Sequence, residues 1–339
     1  MFLEKEGKLI YSYDGETVCI EAWGKDALRV RATKNRSFTG RDWALEAKDA
    51  HAGEVEIFED PSAKGGAFAN MYEGTDTSYG KITNGKLHAV IDSGSVITFY
   101  HEDGRVLLKE HFRRLRDEES MPLNIMGREY SNGVGDNFRI VARFVARKGE
   151  KIFGMGQYQQ HELDLKGCML ELAQRNSQVS VPFYLSSIGY GFLWNNPGVG
   201  QVMFANNGTE WVTESGKEID YLVIAGDTPA EIEENYMTLT GKPPMMPEYG
   251  MGFWQCKLRY WNQEQLLSVA RKYKELGVPL DVIVVDFFHW TKQGEFKFDP
   301  KYWPDVPGMC RELKEMGIQV VVSVWPTVDI YSENFEEMK

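Results

Sequence analysis

Three short apolar runs in the last third of the chain end in residues suited to holding a polyol. Phe253-Trp254-Gln255-Cys256 closes the first, Asp286-Phe287-Phe288-His289-Trp290 follows Val282-Ile283-Val284-Val285, and Trp325-Pro326 follows Ile318 to Val324. In α/β proteins the ligand sits at the carboxyl ends of the strands, which makes these positions the first candidates for a site. An aspartate beside a cluster of rings is what pyranose recognition requires, because the carboxylate accepts two hydroxyls while the rings cover the apolar sugar face. Other readings compete. Asp286 has the residue type of a helix cap, or of a carboxylate satisfied by nearby backbone amides. Trp254 and Trp325 have the character of core packing at the mouth of a barrel. His289 stands alone without triad partners, which favours a local hydrogen bond over proton transfer. Asp299 and Asp305, in Phe298-Asp299-Pro300 and Pro304-Asp305-Val306-Pro307, are accounted for by turns and helix capping.

These residues must be held by strands and helices, and the pattern says which. Tyr249 to Trp254 reads as a short strand. Asn262 then caps a helix with Leu266, Val269, Ala270, Tyr273 and Leu276 along one face, ending at Gly277. The runs at Val282–Val285 and Ile318–Val324 are apolar with little alternation, as in strands buried on both faces of a parallel sheet with helical crossovers. Periodicity leaves a barrel and an open doubly wound sheet equally open. No GxGxxG or GxxxxGK[ST] follows any of the strands, which weakens the nucleotide-binding alternative.

Residues 1–225 read differently, as short alternating runs separated by turn dipeptides, the signature of antiparallel strands with one wet face. Asp14-Gly15, Asn84-Gly85 and Asp103-Gly104 are hairpin signals. In Ala27-Leu28-Arg29-Val30-Arg31 and Phe138 to Phe144 a period near two puts arginines on one face and apolar groups on the other, so a β-sandwich is expected. Thr228-Pro229-Ala230-Glu231 carries a cap, a first-turn proline and a capping-box glutamate, and predicts a helix to about Leu239. Gly241-Lys242-Pro243-Pro244-Met245-Met246-Pro247 cannot continue it. The domain change is placed there, with a sandwich over 1–240 and a βαβ-type domain over 241–339.

Composition narrows the classes. The 339 residues are 42% hydrophobic and 26% charged, as in a soluble globular protein with length for two domains. A net charge of −12 with no basic run argues against nucleic acid. The start, Met1-Phe2-Leu3-Glu4-Lys5-Glu6-Gly7, has acids where a signal peptide needs an apolar core, and no stretch reaches the roughly 18 apolar residues of a membrane span. A cytoplasmic location without membrane contact is expected. Cys19, Cys168, Cys256 and Cys310 lack metal-ligand spacing and read as buried reduced thiols, so neither a metal nor another cofactor is expected. Nine Trp, 16 Tyr and 18 Phe exceed the needs of an ordinary core and suit sugar platforms.

At these residues the chain resembles glycoside hydrolase family 31. Phe153-Gly154-Met155-Gly156-Gln157 is similar to the family's FGxGE/Q strand, and Val181-Pro182-Phe183-Tyr184 with Gly189-Tyr190-Gly191 to its PFY…GYG signature. Gly252-Phe253-Trp254-Gln255, Val284-Val285-Asp286, Phe298-Asp299-Pro300 and Pro304-Asp305-Val306-Pro307-Gly308-Met309 match its opening barrel segments in order and spacing. The resemblance implies a galactose-mutarotase-like β-sandwich followed by the first β/α units of a (β/α)8 TIM barrel. Only 91 residues follow Glu248, against roughly 250 for a whole barrel, so a barrel truncated after about its third strand is expected. It further implies a retaining α-glycosidase whose nucleophile and acid/base follow the fourth and sixth strands. Both fall beyond Lys339, so no catalytic residue is assigned in this chain and the fragment is expected to be inactive. What carries over is a sugar-binding shell: Asp286 as acceptor for hydroxyls, Phe287 and Phe288 beside it, and Trp254 and Trp325 as walls. Within the family the α-xylosidase-like members are the best match, through Trp254-Gln255 with Arg259-Tyr260, Leu193-Trp194-Asn195-Asn196-Pro197 and Val324-Trp325-Pro326. An α-glucosidase, or a non-catalytic carbohydrate-binding or mutarotase-like module, is the alternative. The expected partner is an oligosaccharide or glycoside, with self-assembly of the full-length protein left open.

Overall fold

Asp14 and Gly15 join the strands Lys8–Tyr13 and Glu16–Trp23 with φ of 48° and 73°, the mirror-image turn whose twist suits a hairpin. Asp103 and Gly104 likewise lie between Ile97–His101 and Val106–Lys109. At the third signal the turn sits one residue later, on Gly85-Lys86, because Asn84 still belongs to its strand and donates side-chain hydrogen bonds to the carbonyls of Gly24 and Ala27. The computed structural model describes residues 1–61, 76–111, 113–115, 123–125 and 127–339, divided into the units Met1–Pro243 and Pro244–Lys339.

The first unit is antiparallel throughout its described sheets. The largest runs Phe2–Lys5, Lys8–Tyr13, Glu16–Trp23, Ala27–Thr33, Ile219–Ala225, Tyr190–Trp194, Val179–Ser186 and Ile152–Gln157 side by side. A five-stranded meander spans Glu54 to Lys109, and another five-stranded sheet is built on Phe138–Phe144 and Gly208–Gly216. One hydrophobic core joins all three, with Ile20, Leu28 and Tyr221 from the first, Ile82 and Phe99 from the second, and Phe144 and Trp211 from the third. Much of the aromatic excess is consumed here rather than on sugar platforms: Trp194, Trp211, Phe192, Tyr184, Tyr221 and Phe204 are all fully buried and form a continuous group, stacked except for Phe204, which meets Trp211 edge-on. Such pairs add about 0.5–1.5 kcal/mol each beyond the area they bury.

The expected wet face is not wet at Ala27–Thr33. Arg29 is fully buried, donating to Asp220 at 2.7 and 3.0 Å, to Asp42 at 2.8 Å and to the Arg41 carbonyl at 2.8 Å. The reason is that this face is covered by Leu45 and by the helix Pro229–Thr240 through Ile232 and Leu239, so the guanidinium needs carboxylate partners inside the protein. The helix begins as expected, with Thr228 accepting from the Glu231 amide, while Glu231 itself reaches back to the amide of Asp227. The PFY…GYG segments have a physical role in this packing. Phe183 stacks on Tyr236 at 3.8 Å, and a Cβ on Gly191 would fall 2.7 Å from Ile232 and 2.9 Å from Phe183. Only glycine leaves room for the helix.

In the second unit Asn262 caps the helix Gln263–Glu275, and Asp305 caps Val306–Glu315 by accepting from the Gly308 amide at 2.9 Å. Asp299 accepts from the Lys301 amide within a turn. Three parallel strands, Trp254–Gln255, Val282–Val285 and Gln319–Val322, lie side by side in sequence order. The first is shorter than expected: Glu248–Met251 forms a 3-10 turn, and a Cβ on Gly252 would fall 2.2 Å from Asp281, so the chain joins the ladder only at Trp254. Val282–Val285 is buried on both faces as expected. Gln319–Val322 is only half-buried, because it has a paired neighbour on one side alone among the described residues. Leu276 is exposed rather than on the packed face, since the helix has ended and Gly277 turns the chain with φ 65°.

Candidate functional site

Gln255 anchors the first loop. Its amide oxygen accepts from Tyr273 Oη at 2.7 Å and its amide nitrogen donates to Tyr260 Oη at 3.3 Å, with Tyr260 buried in the second unit's core. Trp254 donates its indole N–H to the Gly250 carbonyl at 3.1 Å. The central strand ends at Val285, whose carbonyl accepts from the Ser323 amide at 3.0 Å, and Asp286 follows immediately. Asp286 therefore leaves the middle strand with Trp254 on the strand to one side and Trp325 following the strand on the other.

The rings form a connected group around that point. Phe287 lies 3.8 Å from Phe288, 4.7 Å from Trp325 and 6.2 Å from Trp290 between ring centroids. Phe287 and Phe288 both have left-handed backbone, with φ of 52° and 56°. Such conformations cost of order 1–3 kcal/mol each in non-glycine residues and persist only where surroundings impose them. Trp254 and Trp325 are 42% and 44% exposed, too open for the core-packing reading. Asp286 caps no helix; the next helix starts at Val306 and is capped by Asp305.

Four contacts were not legible from residue type. The Cys256 thiol donates to Asp286 Oδ2 at 3.8 Å, and burial, then the Asp286 charge, push its pKa up, keeping it a neutral donor. Cys256 and Cys310 are both exposed, contrary to the expectation of buried thiols, because one sits on the loop after the first parallel strand and the other on the outer face of a helix. Arg259 donates from Nη1 to the Phe288 carbonyl at 3.2 Å, with its guanidinium carbon 5.0 Å from the Phe288 ring and 4.0 Å from that of Trp261. A signal for this existed in Arg259-Tyr260, but not its partner.

His289 is 2% exposed, set between Trp290 and Phe298 at 4.8 Å each, with Nδ1 lacking a partner among the described residues. Burial lowers its pKa below the ordinary 6.5, with Asp286 opposing. The unfolded chain then takes up the proton first as pH falls, so the stability contribution is complete above pH 6.5 and lost below it. The melting temperature of the natural sequence should fall faster than that of His289→Gln as pH drops below this value; parallel curves would show that His289 does not titrate in this range.

Two clefts of about 470 and 550 Å³ open on the sandwich, sharing Trp43, Asn196, Pro197 and Gly198. Several of the polar groups around them are already engaged: Glu218 accepts from Thr39 at 2.8 and 2.9 Å, Asn196 donates to the Asp220 carbonyl at 2.8 Å, and Lys217 pairs with Asp136 at 2.8 Å. Asp286, half-buried and with a single thiol donor among the described residues, has acceptor capacity left for a ligand. Among the described residues no three His, Cys, Asp or Glu side chains are gathered as a metal ion would require, and no helix is long and apolar enough to cross a membrane.

An antiparallel sandwich followed by sequential parallel β/α units, with an acid and exposed rings at the strand ends, defines the class of sandwich-and-barrel proteins. Within that class, the chain belongs to glycosyl hydrolase family 31. Residues 17–202 match its N-terminal galactose mutarotase-like domain and residues 243–339 its TIM-barrel domain. The parallel strands are thus the opening of a barrel and not part of a doubly wound sheet. The chain is 42% identical to an uncharacterized family 31 glucosidase, ORF2, of Pseudescherichia vulneris, over 99% of this chain and 62% of that protein. It is 36% identical to an alpha-xylosidase of Saccharolobus solfataricus, over 60% of this chain and 29% of that one. The crystal structure of a family 31 alpha-xylosidase from a soil metagenome, complexed with xylose, superposes with a TM-score of 0.86 at 44% identity, covering all of this chain and 49% of its own. The chain thus spans between a quarter and two thirds of these relatives.

Proposed function

We propose that this chain is the N-terminal part of a retaining α-glycosidase that removes terminal α-linked sugars, with an α-xyloside as substrate. The sandwich occupies 1–240 and the barrel segment 241–339, and the protein works in the cytoplasm. The observation that carries the reading is Asp286 beside Phe287, Phe288 and Trp325 at the ends of parallel barrel strands, in a chain of this family. Asp286 accepts hydroxyls of the terminal sugar, Phe287 and Phe288 flank it, and Trp254 and Trp325 form the walls. A xyloside lacks the exocyclic hydroxymethyl of a glucoside, so a ring occupying that volume admits the pentose and rejects the hexose. The half-exposed Phe288, with Phe287 against it, supplies such a ring. The alpha-xylosidase relatives and the xylose-bound structure support this choice. A second reading, α-glucosidase, is favoured by the name of the P. vulneris relative.

The nucleophile and acid/base belong to segments following Lys339, so residues 1–339 produced alone should not turn over an aryl α-xyloside, since sugar contacts without those two groups cannot form and resolve a glycosyl-enzyme. Turnover above buffer that survives repurification would overturn that assignment. For the full-length polypeptide, kcat/KM on aryl α-xyloside should exceed that on aryl α-glucoside. The reverse order supports the glucosidase reading, and hydrolysis of neither removes the glycosidase reading.

A further inference from the structure

We propose that Arg259 is a positioning residue that fixes the Phe287-Phe288 turn and, through it, the sugar selectivity of the site. The inference rests on the glycosidase reading above. Two consecutive phenylalanines with positive φ do not hold that backbone by themselves, and something must impose it. Trp325 supports the Phe287 ring from one side. The Phe288 ring packs on Phe287 and Trp290, with centroids 3.8 and 6.0 Å away, and its carbonyl accepts from Arg259 Nη1 at 3.2 Å while the guanidinium lies 5.0 Å from its ring. Trp261, 4.0 Å away, gives the same guanidinium a second aromatic surface.

The anchor is firm. Tyr260, the next residue along, is buried and hydrogen-bonded to Gln255, which is held in turn by Tyr273. Arg259 is thus presented from a fixed loop to a strained one, spanning the ends of two adjacent strands. Among the described residues it has no carboxylate in ion-pair range, so charge pairing does not explain its place. Its planar guanidinium does, because it can stack on two rings and donate in its own plane to a carbonyl, which a lysine ammonium cannot do together. Loss of this clamp lets Phe287 and Phe288 relax toward ordinary backbone. Phe288 then leaves the volume that would exclude a hydroxymethyl group.

The test compares Arg259→Lys and Arg259→Ala with the natural sequence in the full-length polypeptide. It measures kcat/KM on aryl α-xyloside and aryl α-glucoside, the melting temperature, and the effect of added guanidinium ion at millimolar concentration. Arg259→Lys should reduce the xyloside-to-glucoside ratio by roughly tenfold, within the range a single group in an apolar pocket controls, with little change in melting temperature. Arg259→Ala should reduce it further and recover partly with guanidinium. An unchanged ratio in Arg259→Lys overturns the proposal, including where Arg259→Ala fails to fold. If the natural protein hydrolyses neither glycoside, the glycosidase reading has failed, and a crystal structure of Arg259→Lys decides the clamp separately: Phe287 and Phe288 still left-handed with unmoved rings overturns it, and relaxed backbone supports it.

Discussion

Asp286→Asn in the full-length polypeptide is expected to lower kcat/KM on an aryl α-xyloside by on the order of 10²-fold or more, with both a lower kcat and a higher KM. The carboxylate stands at the end of a buried strand, half-buried beside packed rings, and among the described residues only the Cys256 thiol donates to it. In such surroundings hydrogen bonds from sugar hydroxyls to a charged acceptor contribute roughly 1.5–3 kcal/mol each. The asparagine keeps the shape but loses the charge and one acceptor. If the contacts tighten as the sugar flattens toward an oxocarbenium-like state, the loss falls on kcat as well as on binding. A purely structural carboxylate would behave differently. Unchanged kcat/KM with a reduced melting temperature would show that the sugar site has been misplaced.

Asp220→Ala is expected to destabilise the sandwich by about 3–5 kcal/mol, because it leaves the buried Arg29 guanidinium without its bidentate partner. At the roughly 2–4 °C per kcal/mol typical of this size, the melting temperature should fall by about 10 °C. Burial pushes the Asp220 carboxyl up to about 6, with Arg29 opposing, so the pair is ionised at neutral pH. Arg29 also holds Asp42 and the Arg41 carbonyl, and Asn195 donates to Asp220 at 2.9 Å, so the damage spreads to the 41–46 loop. Replacing both partners, as Arg29→Met with Asp220→Leu, should recover part of the loss, since no naked charge remains, though Asp42 and Asn195 keep it from being complete. A double variant no better than the sum of the single ones would mean that the two residues are not coupled.

What the amino-acid sequence by itself determined is what short-range chemistry controls. The caps at Thr228, Asn262 and Asp305, the Asp14-Gly15 hairpin, and the change from alternating strands to β/α units depend on residues a few positions apart. The placement of Asp286, Phe287 and Phe288 at a strand end was legible for the same reason, because a strand end and its following residues are contiguous in the chain, whereas the packing of Trp325 on Phe287 joins two strand ends. The tertiary structure alone decided which arginine faces are dry, where the aromatic residues go, and what holds Phe288. Arg29 meets Asp220 across 191 positions and Arg259 meets the Phe288 carbonyl across 29. A period of two shows that arginines share a face but not that Leu45 and the helix at Ile232 cover it. Sixteen tyrosines count the same whether they stack inside a sandwich or line a cleft. The short first barrel strand failed for a related reason: the pattern from Tyr249 suits a strand, but Gly252 must pass against Asp281, and that close approach delays pairing until Trp254. Local propensity sets which elements can form, and burial and partners distant in sequence set which faces they show.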